Sequence, residues 1–473
     1  MTGDDHRAAV PLEGTMATAA STTPLVDYYC DYAWLGGDTA TSGVTLRVKG
    51  TRIEAITVAG HPPAGARHLA GLTLPGLANA HSHAFHRALR GRAERGQGDF
   101  WTWRDLMYSA AAVLTPELYF ALARAVYAEM ALAGFTVVGE FHYLHHGPGG
   151  ARYDDANAMG RALREAGRAA GVKLVLIDAC YLEAGPGRPL EGAQLRFGDE
   201  DVEAWAERAA ALAGARRDSG ELMGAAVHSL RAVPPAAVCR VAEWAQERSV
   251  PLHFHCSEQP AENLEVLAAY GATPVALLAE AGALRRGSVA VHATHLCDED
   301  VKALGQSGAG VCMCPTTERD LADGIGPARR LLALGAPLSL GSDSQAVVNP
   351  FEEMRALEVD ERLATHQRGH FSAAQLLEAA TSAGYRALGD PAGGRLRPGA
   401  PADFVTLSLD GPGLAGTTEE FLLEGAVFAA APSDVTGVVV EGRPVVEDGR
   451  HLLVDDVAGA LRSAIGAMAL PLS

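Results

Sequence analysis

Residues 72–83 read LTLPGLANAHSH, an apolar run typical of a buried strand that ends in two histidines, His81 and His83. Alternate residues of a strand project from the same side, so both imidazoles can reach one metal ion. Apolar runs further along the chain also end in polar side chains, namely His255 with Glu258, His292 with His295, and Asp343. Together these groups offer ligands for a divalent metal and further groups for proton transfer, a set that suits the activation of water.

Eight short apolar runs alternate with alanine-rich segments of helical pattern, which predicts parallel strands joined by helices. Eight strands close a parallel barrel, so the predicted fold is α/β with a (β/α)8 TIM-like barrel. The active site of such a barrel lies at the carboxyl ends of its strands, where the polar residues stand. The runs are residues 72–80, 136–140, 173–180, 223–227, 251–254, 288–291, 310–314 and 337–340.

Short alternating strands flank the barrel on both sides in the sequence and predict one small β-sandwich built from both chain ends. We expect this sandwich domain over residues 25–70 and 395–455 and the metal-dependent barrel over residues 71–394. A helical segment is expected over residues 456–473. Residues 1–24 lack the continuous apolar core of a signal peptide and are predicted to be disordered.

Composition limits the classes of partner. The net charge of −18 argues against nucleic acid and against an anionic membrane surface. No apolar run reaches the roughly 18–20 residues that span a bilayer. The seven scattered cysteines favour a reduced cytoplasmic protein. Cys312 and Cys314 are spaced for metal ligation, but their strand is apolar throughout, which favours a structural role.

The order of polar strand ends resembles the amidohydrolase superfamily, as do the strings GRLRPGAPADFV from residue 394 and VVVEGRPV from residue 438. Three more strings are similar to those of the formimidoylglutamate deiminase family: FWTWRDLMY from residue 100, EFHYLHH from residue 140 and VHSLRAV from residue 227. The resemblance implies hydrolysis of N-formimino-L-glutamate, a small-molecule substrate, to N-formyl-L-glutamate and ammonia in histidine degradation. It also implies a homodimer.

The resemblance implies that His81, His83, His255 and Asp343 bind a divalent ion, and it favours His255 over the neighbouring His253 as the ligand on that strand. Some superfamily members hold two ions bridged by a carboxylated lysine at the end of the fourth strand. No lysine of this chain stands there, so one ion is expected. Zn²⁺ suits these ligands, and Fe²⁺ or Mn²⁺ remains open.

The expected chemistry assigns a role to each remaining group. Glu258 moves a proton toward the substrate nitrogen, Asp343 accepts a proton from water, and His292 orients the nucleophile. The substrate has two carboxylates, which the planar fork of arginine can bind bidentately. The expected substrate contacts are Arg104 in the long loop after the first strand, Tyr143, His228, Arg231, and His86, which stands where the family often has Gln.

Two other readings remain open. One is another mononuclear amidohydrolase, such as a guanine or other aminoheterocycle deaminase or a chlorohydrolase. It would share the metal site but need stacking aromatic residues and amide donors in place of carboxylate-binding arginines. The other is a non-catalytic barrel that serves as a binding module, which the complete set of candidate ligands disfavours.

Overall fold

The computed structural model describes residues 25–94, 98, 100–214 and 222–470. The predicted disorder of residues 1–24 and the end of the expected C-terminal segment, 471–473, lie outside these ranges. In chain order, the strands are β1 (Leu25–Ala33), β2 (Thr41–Lys49), β3 (Arg52–Val58), β4 (Arg67–Pro75), β5 (Leu77–Ser82), β6 (Phe135–His142), β7 (Lys173–Cys180), β8 (Leu222–Val227), β9 (Leu252–Cys256), β10 (Ser288–His292), β11 (Gly310–Met313), β12 (Leu338–Leu340), β13 (Phe404–Leu407), β14 (Val435–Val440), β15 (Arg443–Glu447) and β16 (Arg450–His451).

The α-helices are α1 (Phe100–Val113), α2 (Pro116–Leu132), α3 (Ala158–Ala170), α4 (Val202–Gly214), α5 (Pro235–Glu247), α6 (Pro260–Tyr270), α7 (Pro274–Glu280), α8 (Asp298–Ser307), α9 (Pro315–Asp320), α10 (Ala328–Ala333), α11 (Pro350–Thr365), α12 (Ala373–Glu378), α13 (Gly384–Ala387), α14 (Leu422–Phe428) and α15 (Val457–Ala467). Short 3-10 helices span Ala84–Leu89, Pro148–Gly150, Gly192–Arg196, Glu419–Phe421 and Pro432–Asp434, and a π-helical turn spans Ala379–Ala383. Within the described ranges, no helix is long and apolar enough to cross a membrane.

The predicted barrel is confirmed. In the described part of the chain, β5 to β12 form an eight-stranded sheet in sequence order, and each neighbouring pair is parallel. A parallel bridge between Ser82 and Asp343 joins the first strand to the segment after the last one. The carboxyl ends of all eight strands therefore surround one mouth.

The predicted sandwich is confirmed as a second sheet that both chain ends supply. Its strand order among the described residues is β16-β15-β14-β13-β4-β1-β2-β3. The predicted domain boundary after residue 70 needs a correction, because Leu72 to Pro75 pair with β13 and belong to this sheet. The chain passes into the barrel at Gly76, where an added Cβ would lie 2.2 Å from Thr136 Oγ1. The apolar run at 72–80 therefore contains parts of two strands.

Local signals explain where the outer helices begin and which face they bury. In α2, Thr115 caps the amino end through its side chain, and Pro116 occupies the first helical position, where its missing N–H has no cost. Leu122, Val126 and Met130 are spaced four residues apart and are completely buried. This spacing places them on one helix face, which packs against the barrel core.

A buried ionic cluster fastens α4 to β7. The Arg208 guanidinium donates to both carboxylate oxygens of Asp178, at 2.8 and 3.0 Å, and to both oxygens of Asp199. All three side chains are at most 4% exposed. Burial would lower the pKa of Arg208, but the two carboxylates raise it. Removing any one of the three side chains would therefore leave a buried charge without its partner.

We expect Arg208→Met to lower the free energy of unfolding by about 3–5 kcal/mol, because it leaves two buried carboxylates without their cation. Guanidinium titration of the folded protein measures this difference. Arg161→Met is the matched control, since Arg161 pairs with Asp155 at the surface, where both side chains are 44–48% exposed. Such a pair contributes about 1 kcal/mol or less. Equal losses in the two variants would contradict the assignment.

Candidate metal centre and active site

The expected ligands and proton-transfer groups meet at the mouth of the barrel. His81 lies near the end of β5 and His83 follows that strand, while His255 lies in β9. His292 ends β10, and Asp343 lies three residues after β12. Each group comes from a different place in the sequence, but parallel pairing brings all of them to one end of the sheet.

The donor atoms are spaced as the ligands of one ion would be. Nε2 of His81 and Nε2 of His255 are 3.1 Å apart. Asp343 Oδ1 is 3.4 Å from Nε2 of His81 and 3.4 Å from Nε2 of His83. Tetrahedral ligands about 2.0–2.1 Å from a zinc ion are about 3.3 Å from one another. The four side chains therefore fit a single divalent metal ion.

Backbone carbonyls orient two of the imidazoles. His83 Nδ1 donates to the carbonyl of Phe141 at 2.9 Å, and His255 Nδ1 donates to the carbonyl of His228 at 2.9 Å. A carbonyl can only accept, so the proton lies on Nδ1 in both rings. The Nε2 lone pairs therefore face the cluster, as metal ligation requires.

The electrostatics of the cluster give these groups the protonation states of metal ligands. Burial lowers the pKa of His81, and it lowers the pKa of His83 and of His255 well below the ordinary value. Burial alone would raise the pKa of Asp343, but its hydrogen bond to His81 and the nearby histidines lower it. Neutral imidazoles and an ionised carboxylate result, and this set needs no deprotonation to bind a cation.

The backbone at two of these positions is strained. His292 has a φ of 68° and Asp343 a φ of 43°, in the left-handed region that residues other than glycine rarely adopt. Such residues persist where the surrounding structure fixes them, and they concentrate at functional sites. Gly341 permits the close approach of the two chain segments, because a Cβ there would lie 2.8 Å from the His81 carbonyl oxygen.

His292 connects the ligand set to Glu258. Its Nε2 is 3.5 Å from Glu258 Oε1 and 3.7 Å from Asp343 Oδ2, and its Nδ1 is 3.4 Å from Glu318 Oε1. Burial would lower the pKa of His292, but these carboxylates raise it well above the ordinary value. Burial also raises the pKa of Glu258, against the charges of His292 and Arg231. A charged imidazole beside this carboxyl group suits proton transfer.

Arg231 contacts Glu258 directly. Its Nη2 donates to Glu258 Oε2 at 3.1 Å, and its Nε lies 3.8 Å from Glu262 Oε2. The guanidinium also lies 5.4 Å from the centre of the Phe100 ring. Part of its fork is thus occupied by protein carboxylates. Its expected role in substrate binding stays a prediction, with fewer donors available than the sequence suggested.

His86, Tyr143 and His228 form a continuous wall beside the ligands. His86 Nε2 is 2.9 Å from the Tyr143 hydroxyl, and the Tyr143 ring is 5.3 Å from the His228 ring. Burial lowers the pKa of His86 to about 3, so its imidazole is neutral. The His86 ring is 4.6 Å from the ring of His83. His86 therefore lies where it can contact a substrate at the metal centre.

Arg104 lies in α1, so the expectation that it belongs to a loop is wrong. The segment contains neither Pro nor Gly, and Met107, Ala110 and Ala111 give it a buried face. The Arg104 guanidinium lies 4.4 Å from the centre of the Trp101 ring. Arg104 thus lines the cavity at the mouth from a regular helix, and its role in substrate binding stays a prediction.

A cavity of about 990 Å³ lies at this mouth. The expected site residues that line it are His83, His86, Arg104, Tyr143, His228, Arg231, His255, Glu258, His292 and Asp343. Its wall also includes the aromatic residues Phe100, Trp101, Trp103, Tyr108, Tyr181 and Phe197. A ligand in this space can reach the metal ligands and the arginines together.

The sequence left several residues of this site without a role. Tyr181 follows β7 at the mouth, and its place at a strand end was the available signal. Tyr108 lies within the string that begins at residue 100. Gln194 carries no signal, because it lies in the long connection between β7 and α4. Glu318 orients His292, and burial raises the pKa of the neighbouring Asp323 to about 9.

Comparison with known proteins agrees with this geometry. A model of the amidohydrolase family matches residues 72–445. The chain belongs to the amidohydrolase family. This amidohydrolase is 38% identical to the formimidoylglutamate deiminase of Pseudomonas aeruginosa over 415 residues, which cover 85% of the chain and 91% of that relative. The resemblance seen in the sequence is thereby confirmed.

Other similar proteins include a deaminase of a different substrate and several solved structures. A 5-methylthioadenosine/S-adenosylhomocysteine deaminase of Natronomonas pharaonis is 28% identical over 90% of this chain and 94% of its own. Among solved structures, an amidohydrolase from Brucella melitensis superposes with a TM-score of 0.87 at 33% identity, over 94% of this chain and 99% of that one. The zinc complex of atrazine chlorohydrolase TrzN from Arthrobacter aurescens TC1 gives 0.81 at 21% identity, over 93% and 100%. This last likeness concerns the fold alone.

We expect one equivalent of divalent metal to co-purify with this amidohydrolase and His255→Gln to lose it. Metal analysis of the purified proteins measures the stoichiometry. His253→Gln is the matched control, because His253 lies on the same strand but binds the Ala387 carbonyl through Nε2 at 2.9 Å. That variant should keep its metal. Two tightly bound ions per chain, or metal loss in the control alone, would contradict the ligand assignment.

Proposed function

We propose that this amidohydrolase hydrolyses N-formimino-L-glutamate to N-formyl-L-glutamate and ammonia. One observation carries the proposal: a buried donor set for one metal ion opens into a cavity that also holds a proton-transfer pair and two arginines. The relative from Pseudomonas aeruginosa, named formimidoylglutamate deiminase, supports the same activity. Its 38% identity extends over most of both chains.

The residues present fit a metal cofactor. His81, His83, His255 and Asp343 would hold the ion, and Zn²⁺ suits three imidazoles and one carboxylate. When bound, such an ion lowers the pKa of its water to about 7 and so makes hydroxide available at neutral pH. Asp343 Oδ1 lies near His81 and His83, and its Oδ2 lies near His292. The carboxylate can therefore bind the ion through one oxygen and accept a proton on the other.

The protein side chains account for the proton movements. Hydrolysis adds water to the C=N bond of the formimino group. The bond between this carbon and its terminal nitrogen then breaks, and that nitrogen leaves as ammonia. Asp343 accepts a proton from the attacking water, and His292 orients that water through Nε2. Glu258 delivers a proton to the departing nitrogen, and Arg231 holds its carboxylate in place at 3.1 Å.

Deamination of an aminopurine is the second candidate. The aromatic cavity wall can stack on a planar base, and the relatives that are 27–32% identical are named 5-methylthioadenosine/S-adenosylhomocysteine deaminases. A planar base would not need the arginines, however. Ammonia release from N-formimino-L-glutamate, guanine, cytosine and 5-methylthioadenosine separates the two candidates. Release from a base but not from N-formimino-L-glutamate would overturn the first proposal.

The homodimer, the cytoplasmic location and zinc as the resident ion stay predictions. Sedimentation of the purified protein tests the first, and metal analysis of protein from cells tests the last. None of the three alters the chemistry proposed for the side chains.

We expect Glu258→Gln to retain its metal and to lose about 10²- to 10⁴-fold in kcat, because the amide cannot deliver the proton. Steady-state ammonia release and metal analysis of the same sample measure both quantities. Glu265→Gln is the control. Glu265 also lines the cavity, but it pairs with Arg188 at 2.6 Å and is about one-third exposed. Near-normal kcat in Glu258→Gln would remove Glu258 from the mechanism.

A further inference from the structure

A buried carboxyl group that the chemistry above does not use lies beside Glu258 and His292. Asp323 lies in the connection between α9 and α10 and is 3% exposed. One of its carboxylate oxygens lies within 4.8 Å of a carboxylate oxygen of Glu258 and of a ring nitrogen of His292. Glu258 and His292 line the cavity, whereas Asp323 does not. Asp323 therefore approaches the proton-transfer pair from the protein interior.

The backbone around Asp323 is fixed by tertiary contacts. Its N–H donates to the Glu318 carbonyl at 2.8 Å, and its own carbonyl accepts a hydrogen bond from His295 Nε2 at 2.7 Å. The preceding residue, Ala322, has a φ of 56°, in the left-handed region that residues other than glycine rarely adopt. Such a conformation persists where the surrounding structure determines it. The Asp323 side chain is thus held in this place by its neighbours.

Hydrogen-bond accounting shows that the Asp323 carboxyl group is only half satisfied. Gln259 Nε2 donates to Oδ1. Oδ2 is buried without a hydrogen-bond partner among the described residues. A buried ionised carboxylate with one empty oxygen is costly, whereas a proton on Oδ2 would convert that oxygen into a donor.

The charges around Asp323 favour a proton on its side chain. The charged groups that face it are Glu258 after β9, His292 at the end of β10, Glu318 in α9 and Asp343 after β12. Three of these four groups are carboxylates. Burial and the charge of Glu258 raise the pKa of Asp323 to about 9, against the effect of His292. At neutral pH the side chain is therefore an uncharged acid with one O–H donor.

The Glu258 carboxylate has room for that donor. An ionised carboxylate offers about four positions to hydrogen-bond donors. Arg231 Nη2 takes one of them at Oε2, at 3.1 Å, and His292 Nε2 lies 3.5 Å from Oε1. One water molecule, or a small rotation of the Asp323 side chain, spans a separation of up to 4.8 Å.

We propose that Asp323 keeps its proton during turnover and donates a hydrogen bond to Glu258, an inference that rests on the proposed function. Glu258 is ionised after it has delivered a proton to the departing nitrogen. A neutral donor beside it stabilises this ionised form, whereas a second negative charge would oppose it. Asp323 is therefore a positioning residue that acts on the reaction through Glu258. It neither gains nor loses a proton, so the balance of the reaction is unchanged.

Asp323→Asn and Asp323→Ala test the inference, because asparagine keeps an uncharged donor and alanine removes it. At neutral pH we expect Asp323→Asn to retain kcat within about threefold and Asp323→Ala to lose about 10- to 100-fold, since a hydrogen bond to a charged group is lost. KM should change less than about twofold in both variants, because Asp323 does not line the cavity. Ammonia release and metal analysis of the same samples measure these quantities.

The pH profile is a readout that a merely structural role would not change. Wild-type kcat should fall as the pH rises through about 9, because ionised Asp323 opposes release of the proton from Glu258. Asp323→Asn should keep its kcat through this range. Glu353→Gln is the matched control, since Glu353 is also a buried carboxyl group with its pKa raised to about 8 but bonds to Thr316. That variant should keep the wild-type profile.

Several results would overturn the inference. They are an alkaline fall in Asp323→Asn equal to that of the wild type, equal losses of kcat in the two variants, and an unchanged kcat in Asp323→Ala. If Asp323→Ala fails to fold, the pH profile of Asp323→Asn decides alone. In the Glu258→Gln background, Asp323→Ala should lower kcat by less than about twofold, because it acts through Glu258. A further loss of about tenfold there would place its action elsewhere and would also overturn the inference.

Infrared spectroscopy separates this inference from the proposed function. The difference between the spectra of the wild type and Asp323→Asn, recorded at neutral pH without substrate, should contain the C=O band of a protonated carboxyl group. If the wild type releases no ammonia from N-formimino-L-glutamate but the band is present, the proposed function fails and the protonated Asp323 remains. If the band is absent, the inference is wrong whatever the enzyme hydrolyses.

Discussion

Closure of the barrel between its first and last strands is the constraint on which the site depends. His83 N–H donates to the Asp343 carbonyl at 3.1 Å, and Asp343 N–H donates to the His81 carbonyl at 3.0 Å. These two backbone bonds bring together residues more than 250 positions apart in the sequence. Because the same three residues are proposed metal ligands, the bonds that close the barrel also set the spacing of the proposed donor atoms. Barrel closure and the proposed metal site thus share one piece of backbone.

A series of hydrogen bonds between buried side chains supports this closure. Asn79 donates to Ser342 at 2.6 Å, Ser342 to Gln345 at 2.8 Å, Gln345 to Ser82 at 2.9 Å, and Ser82 to Glu140 at 3.0 Å. Each hydroxyl both donates and accepts, so the chain satisfies groups that would otherwise be costly to bury. A satisfied network of this kind permits one arrangement of the strand ends. It therefore restrains the strand end that carries His81 and His83.

The cavity of this acidic protein contains two arginines, Arg104 and Arg231. A chain with a net charge of −18 repels a dianion at long range, so recognition has to come from local donors. Arg231 is shared with Glu258, and Arg104 stands over Trp101 beside Tyr108. The cavity supplies phenol and amide hydrogens in addition to guanidinium groups.

The sequence by itself determined the barrel and the sandwich, because strand periodicity and polar strand ends are local properties of the chain. The residues expected to bind metal followed from the family resemblance of those strand ends. It did not locate the boundary at Gly76, since one apolar run there continues through two strands of different sheets. Nor could it place Arg104 on a helix or reveal Gln194, whose partners Tyr108 and Tyr181 lie on other elements. Only the tertiary structure decided which hydrogen-bond donors line the cavity and which already bond to other protein groups, as Arg231 does to Glu258. Packing brings together partners that are distant in the sequence, so the sequence alone does not show these bonds.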